Sequence, residues 1–375
     1  MNAVTATLLR RPAALYEQLR KRGPVQWSEP GQIWLVIGYS AARTVLRDTR
    51  FRMPGPGADS TWGEGGPYGE FMRGLLLEAE GAQHDRLRRA LGPAFAPRAI
   101  RARQDRIDAT MDSLLDDVAG AAEFDGVAAI SSRLPVSVVG DLVGVPERDR
   151  ARVSALCRTI STGGGLATGA AEQDAVRGSI GALDELAALV EDWLAAPDQL
   201  LAESVLATSA DLTRMETVAT VFSLYLAGHD TSRNMLSALL LALATRPDLA
   251  AAADEVDRVL LAESPLTFTA RVALADVEVE GQRIAEGDRV RIMLGAANHE
   301  LLTTGQSPGP LAGVSFGEGR HVCLGAHVAR LEGTTMLAAV ARRWSSVRLA
   351  GDPQWTPHFL HRGLDRLPLE VTWRG

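Results

Sequence analysis

Cysteine and lysine are almost missing from this chain. Its 375 residues hold two cysteines, Cys157 and Cys323, and one lysine, Lys21. Two cysteines cannot build a metal–thiolate cluster. Positive charge is carried by arginine instead, a bias that fits a GC-rich genome better than a function. An excess of positive charge is lacking too. The net charge is −7 and the pI about 5.6, so nothing points to nucleic acid. Long apolar runs are also missing. Met1 to Ala14 holds no stretch long enough for a signal peptide or an anchor, and no later stretch reads as a membrane span. A soluble, cytoplasmic protein with no membrane and no nucleic-acid partner is expected.

What is present is apolar content enough for a sizeable core, 46% of residues. The length allows one large domain over residues 1–375. The most informative stretch runs from Ser315 to Glu332. Gly317 and Gly319 let a loop turn tightly and pass close to something bulky. Leu324, Val328, Leu331 and Thr335 then recur at helical spacing. The stretch therefore reads as loop, Cys323, helix. A thiolate at a helix N-terminus is stabilised by the dipole and by unpaired N–H groups. Gly325 leaves a bare patch where a flat ring could lie.

In chain order, Pro12 to Arg22 reads as an amphipathic helix. Val25 to Trp27 and Ile33 to Ile37 read as strands joined at Pro30-Gly31. Ser40 to Asp48 reads as a helix with Ser40 as N-cap. Phe51 to Gly74, rich in Gly and Pro, reads as a long loop; its Trp62, Tyr68, Phe71 and Met72 suggest packing over a ligand. His84 to Leu91 is helical, with His84 and Arg88 on one face. Arg101 to Leu200 is helix-dominated, with breaks at Pro135, Pro146 and Ser161 to Gly169. Gly163-Gly164-Gly165 lacks the context of a phosphate loop and reads as a flexible corner. Arg214 to Thr245 is the longest helical pattern, about 48 Å if unbroken. It is apolar nearly all round, so it should run through a core. Ala227-Gly228-His229-Asp230-Thr231 interrupts it. Gly228 costs about 1 kcal/mol of helix propensity, a buried acid is expensive, and the Thr231 hydroxyl can return to the Ala227 carbonyl and bend the helix. A local opening for a small molecule is expected there. Asp254 to Leu261 is a helix pairing Glu255 with Arg258. Strands follow at Phe268 to Val272, Val277 to Val279, Arg283 to Ile284 and, after the turn Glu286-Gly287-Asp288, at Val290 to Leu294.

Phe-Gly-x-Gly-x-His-x-Cys-x-Gly, filling Phe316 to Gly325 and continued by Ala329, Arg330 and Glu332, resembles the haem-binding loop of the cytochrome P450 family. The resemblance covers essentially the whole chain. It implies a mainly α, single-domain P450 fold with minor β-sheets. It further implies haem b (iron protoporphyrin IX) as cofactor, with Cys323 as its axial metal ligand and Phe316, Gly317 and Gly325 beside it. His84 and Arg88 resemble the family's propionate-binding pair, joined by Arg271 and His321. Ala227 to Thr231 resembles the distal motif Ala-Gly-x-(Asp/Glu)-Thr, which implies cofactor contact at Ala227 and Gly228 and proton delivery by Asp230 and Thr231. Glu255 and Arg258 resemble the structural Glu-x-x-Arg, a buried pair in the family. Asn298-His299-Glu300 stands where the family usually has Asn-Arg-Asp. Arg362 to Leu369 resembles its closing β-hairpin.

The implied activity is a haem-thiolate monooxygenase acting with O2 on a small, mainly apolar organic substrate, as in a tailoring step of natural-product biosynthesis. Electrons would come from a ferredoxin-type donor with its reductase, docking near Arg86, Arg89 and Arg320. The pocket is expected among Trp62, Tyr68, Phe71, Met72, Leu224, Leu266, Phe268, Phe359 and Leu360. Oxidative coupling, cyclisation or desaturation would use the same residues, and so would the haem site of a non-catalytic helper. One departure stands out. Leu301 to Val314 is short and holds no arginine, so the family's third partner for Glu255 and Arg258 is missing from its usual place.

Overall fold

The computed structural model describes residues 12–54, 66–163, 170–197, 199–246, 253–307, 309, 312–358 and 360–374. Helices dominate, with four small sheets among the described residues. Contacts divide the chain into two compact units.

The first unit contains residues 1–52, 102–134 and 230–375. Its largest sheet has five strands in the order Val25–Ser28, Ile33–Val36, Arg289–Ile292, Thr269–Ala273 and Phe51–Arg52. Only Ile33–Val36 and Arg289–Ile292 run parallel, Trp34 opposite Val290. Val25, Val36, Val290 and Ile292 bury their side chains against Ala41, Ala42 and Val45 of the helix Tyr39–Arg47. That helix starts one residue before the expected cap, and Ser40 does not cap it. Gly38 holds the N-cap position, and the Tyr39 N–H donates to Oε2 of Glu300 at 2.7 Å. A distant carboxylate thus satisfies a helix-end donor and sits favourably in the dipole.

The chain's end also departs from expectation. Leu364–Arg366 pairs with Gln354–Trp355, whereas Pro368–Trp373 joins Trp344–Leu349 and Glu123–Asp125. Arg362 to Leu369 is therefore not one hairpin. Leu367, between the strands, donates its N–H to Asp125 Oδ1 and accepts from the Gly126 N–H, both at 2.9 Å. The Asp125–Gly126 turn thereby parts the two strands.

The second unit contains residues 53–101 and 135–229. Its core is built by Glu147–Gly163 and Ala170–Ala195, which pack Val153, Ile160, Leu186 and Trp193 together with Phe222 and Tyr225. Cys157 lies within this core. The Gly/Pro-rich loop is shorter than expected, because Gly66–Gly74 is helical. The expected break at Pro135 falls instead in the first turn of the helix Arg133–Val143, where a missing N–H costs nothing. The described part of the Gly163 corner is the end of a helix; 164–169 lie outside the described residues.

Candidate active site

In the first unit the cysteine loop is held by its own backbone. The Cys323 N–H donates to Phe316 O at 2.8 Å, and Gly317 and Gly319 take φ of 66° and 73°. Gly319 has no room for a side chain: a Cβ would fall inside contact with Leu46 O. Its neighbour Glu318 is buried and ion-paired with both Arg43, at 2.8 Å, and Arg47. The loop is thus pinned to the helix Tyr39–Arg47 by a tight glycine contact and a double ion pair. Its other flank is fixed by Arg330, whose guanidinium lies 4.7 Å from the Phe316 ring and reaches Asp257 at 2.8 Å. Asn298, fully buried, donates to Ser264 and Ser315 and accepts from the Val314 N–H, each at 2.8 Å.

Cys323 itself is exposed, three residues before the helix Ala326–Arg343. Beside it, a Cβ at Gly325 would meet only Sγ, at 4.0 Å. His321 closes a short 3-10 turn between Gly319 and the cysteine. Arg271 is buried, with Nη1 donating to Ala270 O at 2.7 Å. In the second unit, His84 is buried on Gly81–Leu91 and Arg88 follows one turn later on the same face.

The helix Arg214–Thr245 is found with the expected ends and is helical throughout. Side-chain burial varies along it. Val218, Val221, Leu236 and Leu239 are fully buried, whereas Leu226 is 39% exposed and Ala227 is exposed. Gly228 to Thr231 are partly buried. Gly228 also has a packing role, since a Cβ there would lie 2.7 Å from Val139 Cγ2.

Of the expected pocket residues, Trp62 and Phe359 lie outside the described residues, and Tyr68 is placed only as a backbone position in the helix Gly66–Gly74. Phe71 is fully buried, edge-on to Phe222 at 5.0 Å; it packs in the core of its unit. Met72 and Leu224 pack partly buried on that core, and Leu266 on the core of the first unit. Phe268 carries the Arg291 guanidinium on its face at 4.3 Å. Leu360 is partly buried, its carbonyl accepting from Thr267.

Two expectations about charge need correction. The Glu255–Arg258 pair is present at 2.8 Å, but only Glu255 is buried, at 9% side-chain exposure against 67% for Arg258. Arg258 projects from the helix Ala253–Ala262 into solvent. The partner missing from 301–314 is supplied from elsewhere: Arg246, just past the long helix, lies 3.6 Å from the other Glu255 oxygen. Arg86 is drawn inward, paired with the buried Glu216 and hydrogen-bonded to Asp211 O. That leaves Arg89 and Arg320 as the exposed arginines of the expected docking surface.

Sequence reasoning missed two further groups. Glu332 is wholly buried, and burial pushes its carboxyl up to about 8, with the Ser232 hydroxyl pulling the other way. Neither oxygen has a partner in hydrogen-bond geometry among the described residues. His361 sits in the turn before the last strands, its titration lowered by burial and raised by Asp230.

A loop that presents an exposed thiol ahead of a helix, in a mainly helical chain with small sheets, is the arrangement expected of a haem-thiolate protein. The comparisons agree. The family model described as Cytochrome P450 matches residues 194–269. The biotin biosynthesis cytochrome P450 of Bacillus subtilis (strain 168) is 30% identical, over 98% of both chains. The monooxygenase PikC of Streptomyces venezuelae is 29% identical, over 97% of this chain and 91% of its own. A solved structure of P450BioI with hexadec-9Z-enoic acid ligated acyl carrier protein superposes with a TM-score of 0.87 and 28% identity, covering 99% of this chain and 100% of that one. The chain belongs to the cytochrome P450 family, whose cofactor is haem, and it is an oxidoreductase of the monooxygenase type. No single helix among the described residues is long and apolar enough to cross a membrane.

The donor set suits a haem. Within the first unit, one accessible thiol stands in a loop that leaves its neighbour Gly325 bare, and the buried Arg271 carries a guanidinium of the kind a carboxylate binds.

Proposed function

We propose that this chain is a cytoplasmic haem b monooxygenase that oxidises, most simply by hydroxylation, a small and mainly apolar organic substrate in a biosynthetic tailoring step. The observation that carries the reading is the exposed Cys323 thiol at the end of a pinned glycine loop, in a chain matched end to end by P450 relatives. When bound, the haem supplies dioxygen activation, and thiolate donation favours O–O cleavage. Cys323 is the metal ligand. His84, Arg88, Arg271 and His321 hold the propionates, because charge-assisted donors are what a partly buried carboxylate requires. Ala227, exposed on the long helix, and its neighbour Gly228 contact the cofactor. Asp230 and Thr231 move protons, the acid supplying and the hydroxyl positioning. The whole chain serves this one site as a single catalytic domain. Electrons come from a separate ferredoxin-type protein with its reductase, and exposed Arg89 and Arg320 suit its acidic surface.

A second reading concerns how the substrate arrives. Likeness to the biotin biosynthesis P450, in sequence and in the carrier-bound structure, favours an acyl chain presented on a carrier protein. Comparing binding of free hexadecenoic acid with that of its carrier-linked form separates the two.

The assignment is tested by the spectrum of the reduced, CO-bound protein. The parent shows the red-shifted Soret band of thiolate ligation. Cys323→Ser loses it and Cys157→Ser keeps it, because Cys157 is buried and its thiol is pushed up to about 12. A thiolate band surviving in Cys323→Ser would end the reading.

A further inference from the structure

The turn at residues 360–363 carries one histidine, His361, and a second, His358, stands just before it; the reading above uses neither. One side of the turn is tied to the chain at 265–267. Thr267 donates both N–H and Oγ1–H to Leu360 O, His361 bridges to Leu266, and the Arg362 N–H donates to Pro265 O at 2.9 Å. The other side is tied to the long helix. Arg233 Nη2 donates to Leu364 O at 2.7 Å, and Gly363 lies so close to Asn234 that a Cβ would overlap its amide. Asn234 is one helical turn after Asp230, on the same face. This anchoring holds His361 beside that face, where it feels the Asp230 charge. His361 Nδ1 is buried and has no hydrogen-bond partner among the described residues. The exposed His358 ring stands 5.1 Å from the His361 ring. His358 Nδ1 accepts the N–H groups of Leu360 and His361, which leaves its proton on Nε2.

We propose that His361, with His358 outside it, is a positioning residue that feeds protons to Asp230 from solvent. The inference rests on the role given to Asp230 and Thr231 above. A neutral imidazole accepts a proton at one ring nitrogen and releases one from the other. Water at His358 supplies the proton, the Asp230 carboxylate receives it, and no electron moves. The Asp230 charge reaches His361 from the long helix, and the His358 ring lies beside it just before the turn. Two nearby arginines are matched: Arg362 by Glu263, and Arg233 by Leu364 O and Asp365.

The chain has seven histidines, few enough to follow individually by 13C-histidine NMR of the haem-loaded, CO-bound protein, with His361→Gln supplying the assignment. His361 should titrate below the usual histidine range, and Asp230→Asn should lower it further. A titration indifferent to Asp230→Asn overturns the proposal. The second measurement is the rate of oxygen reduction driven between pH 5 and 8 by NADPH through a plant ferredoxin and its reductase, because each peroxide or water formed takes its protons from solvent. The parent should slow in acid as His361 takes a proton. His361→Gln should run about tenfold slower without that acid limb, below the ~10²–10⁴-fold of a group that protonates the reacting atoms directly. Added to Asp230→Asn, His361→Gln should change nothing more. A His361→Gln profile with the parent's limb and rate refutes the relay. Each variant's CO spectrum is recorded first, so loss of the thiolate band counts against the haem assignment and not against the relay. If His361→Gln fails to hold haem, the parent and Asp230→Asn titrations decide.

Discussion

Replacing Glu332 by Gln should abolish a pH dependence of stability that a single buried carboxyl imposes. In the unfolded chain this group releases its proton near 4.5; in the fold, burial holds the proton until about 8. Between those values the folded state binds more protons than the unfolded state, so stability falls as pH rises. The contribution is fully present below 4.5 and lost as pH passes through 8. Each unit corresponds to about 1.4 kcal/mol, so from pH 5 to 7.5 Glu332 alone should remove roughly 3 kcal/mol. Exposure does not dilute this figure, because the side chain is wholly buried. Glutamine keeps the shape and cannot ionise, so any penalty for its unpaired amide is the same at every pH. The assay is urea unfolding of both haem-loaded proteins at pH 5, 6, 7 and 8. Their midpoints should diverge with pH, the variant gaining on the parent at a constant m-value. Parallel curves would show that Glu332 is already ionised in the fold, and that a counter-charge or water offsets its burial.

Two further outcomes follow from the charged and distal groups. Thr231→Ala should keep haem and fold yet yield less product per NAD(P)H consumed, releasing hydrogen peroxide instead, with the product rate down by about 10²-fold or more; full coupling in this variant would leave Thr231 only a helix residue. Arg246→Ala and Arg258→Ala should each cost about 1 kcal/mol or less, since their side chains are 48% and 67% exposed. The double variant should cost more than their sum, because it strands a buried Glu255; strict additivity in urea midpoints would show that Arg246 does not share the pair.

What was legible in the sequence was local. The cysteine loop could be read because its chemistry needs glycines at fixed offsets. Gly317 and Gly319 do take the left-handed conformation, and Gly319 lies against Leu46 with no room to spare. The long helix could be read to its ends because apolar residues recur at helical spacing on both sides of the Ala227 to Thr231 interruption. The groups that hold these elements in place were not legible, because their partners are far away in the chain. Glu318 finds Arg43 across 275 positions, and Glu300 caps Tyr39 across 261. Neither pairing leaves a local pattern, since one carboxylate among 46 acidic residues looks like any other.

Charge misled the sequence reading for the same reason. Arg86 looked available because a helix of arginines resembles a docking surface, yet Glu216 holds it inward. Glu255 looked short of a partner because 301–314 has no arginine, yet Arg246 fills that place from the end of the long helix. A carboxylate needs a cation nearby, not a cation at a particular position, so a family can move the donor without losing the pair. Glycine allows no such substitution by proximity, because the space it leaves belongs to one backbone atom. Gly228 illustrates the difference. It stands in the stretch that resembles the distal motif, and its missing side chain also leaves room for Val139 against the long helix. A side chain there would collide with Val139, so packing within its own unit is enough to require a glycine at that position.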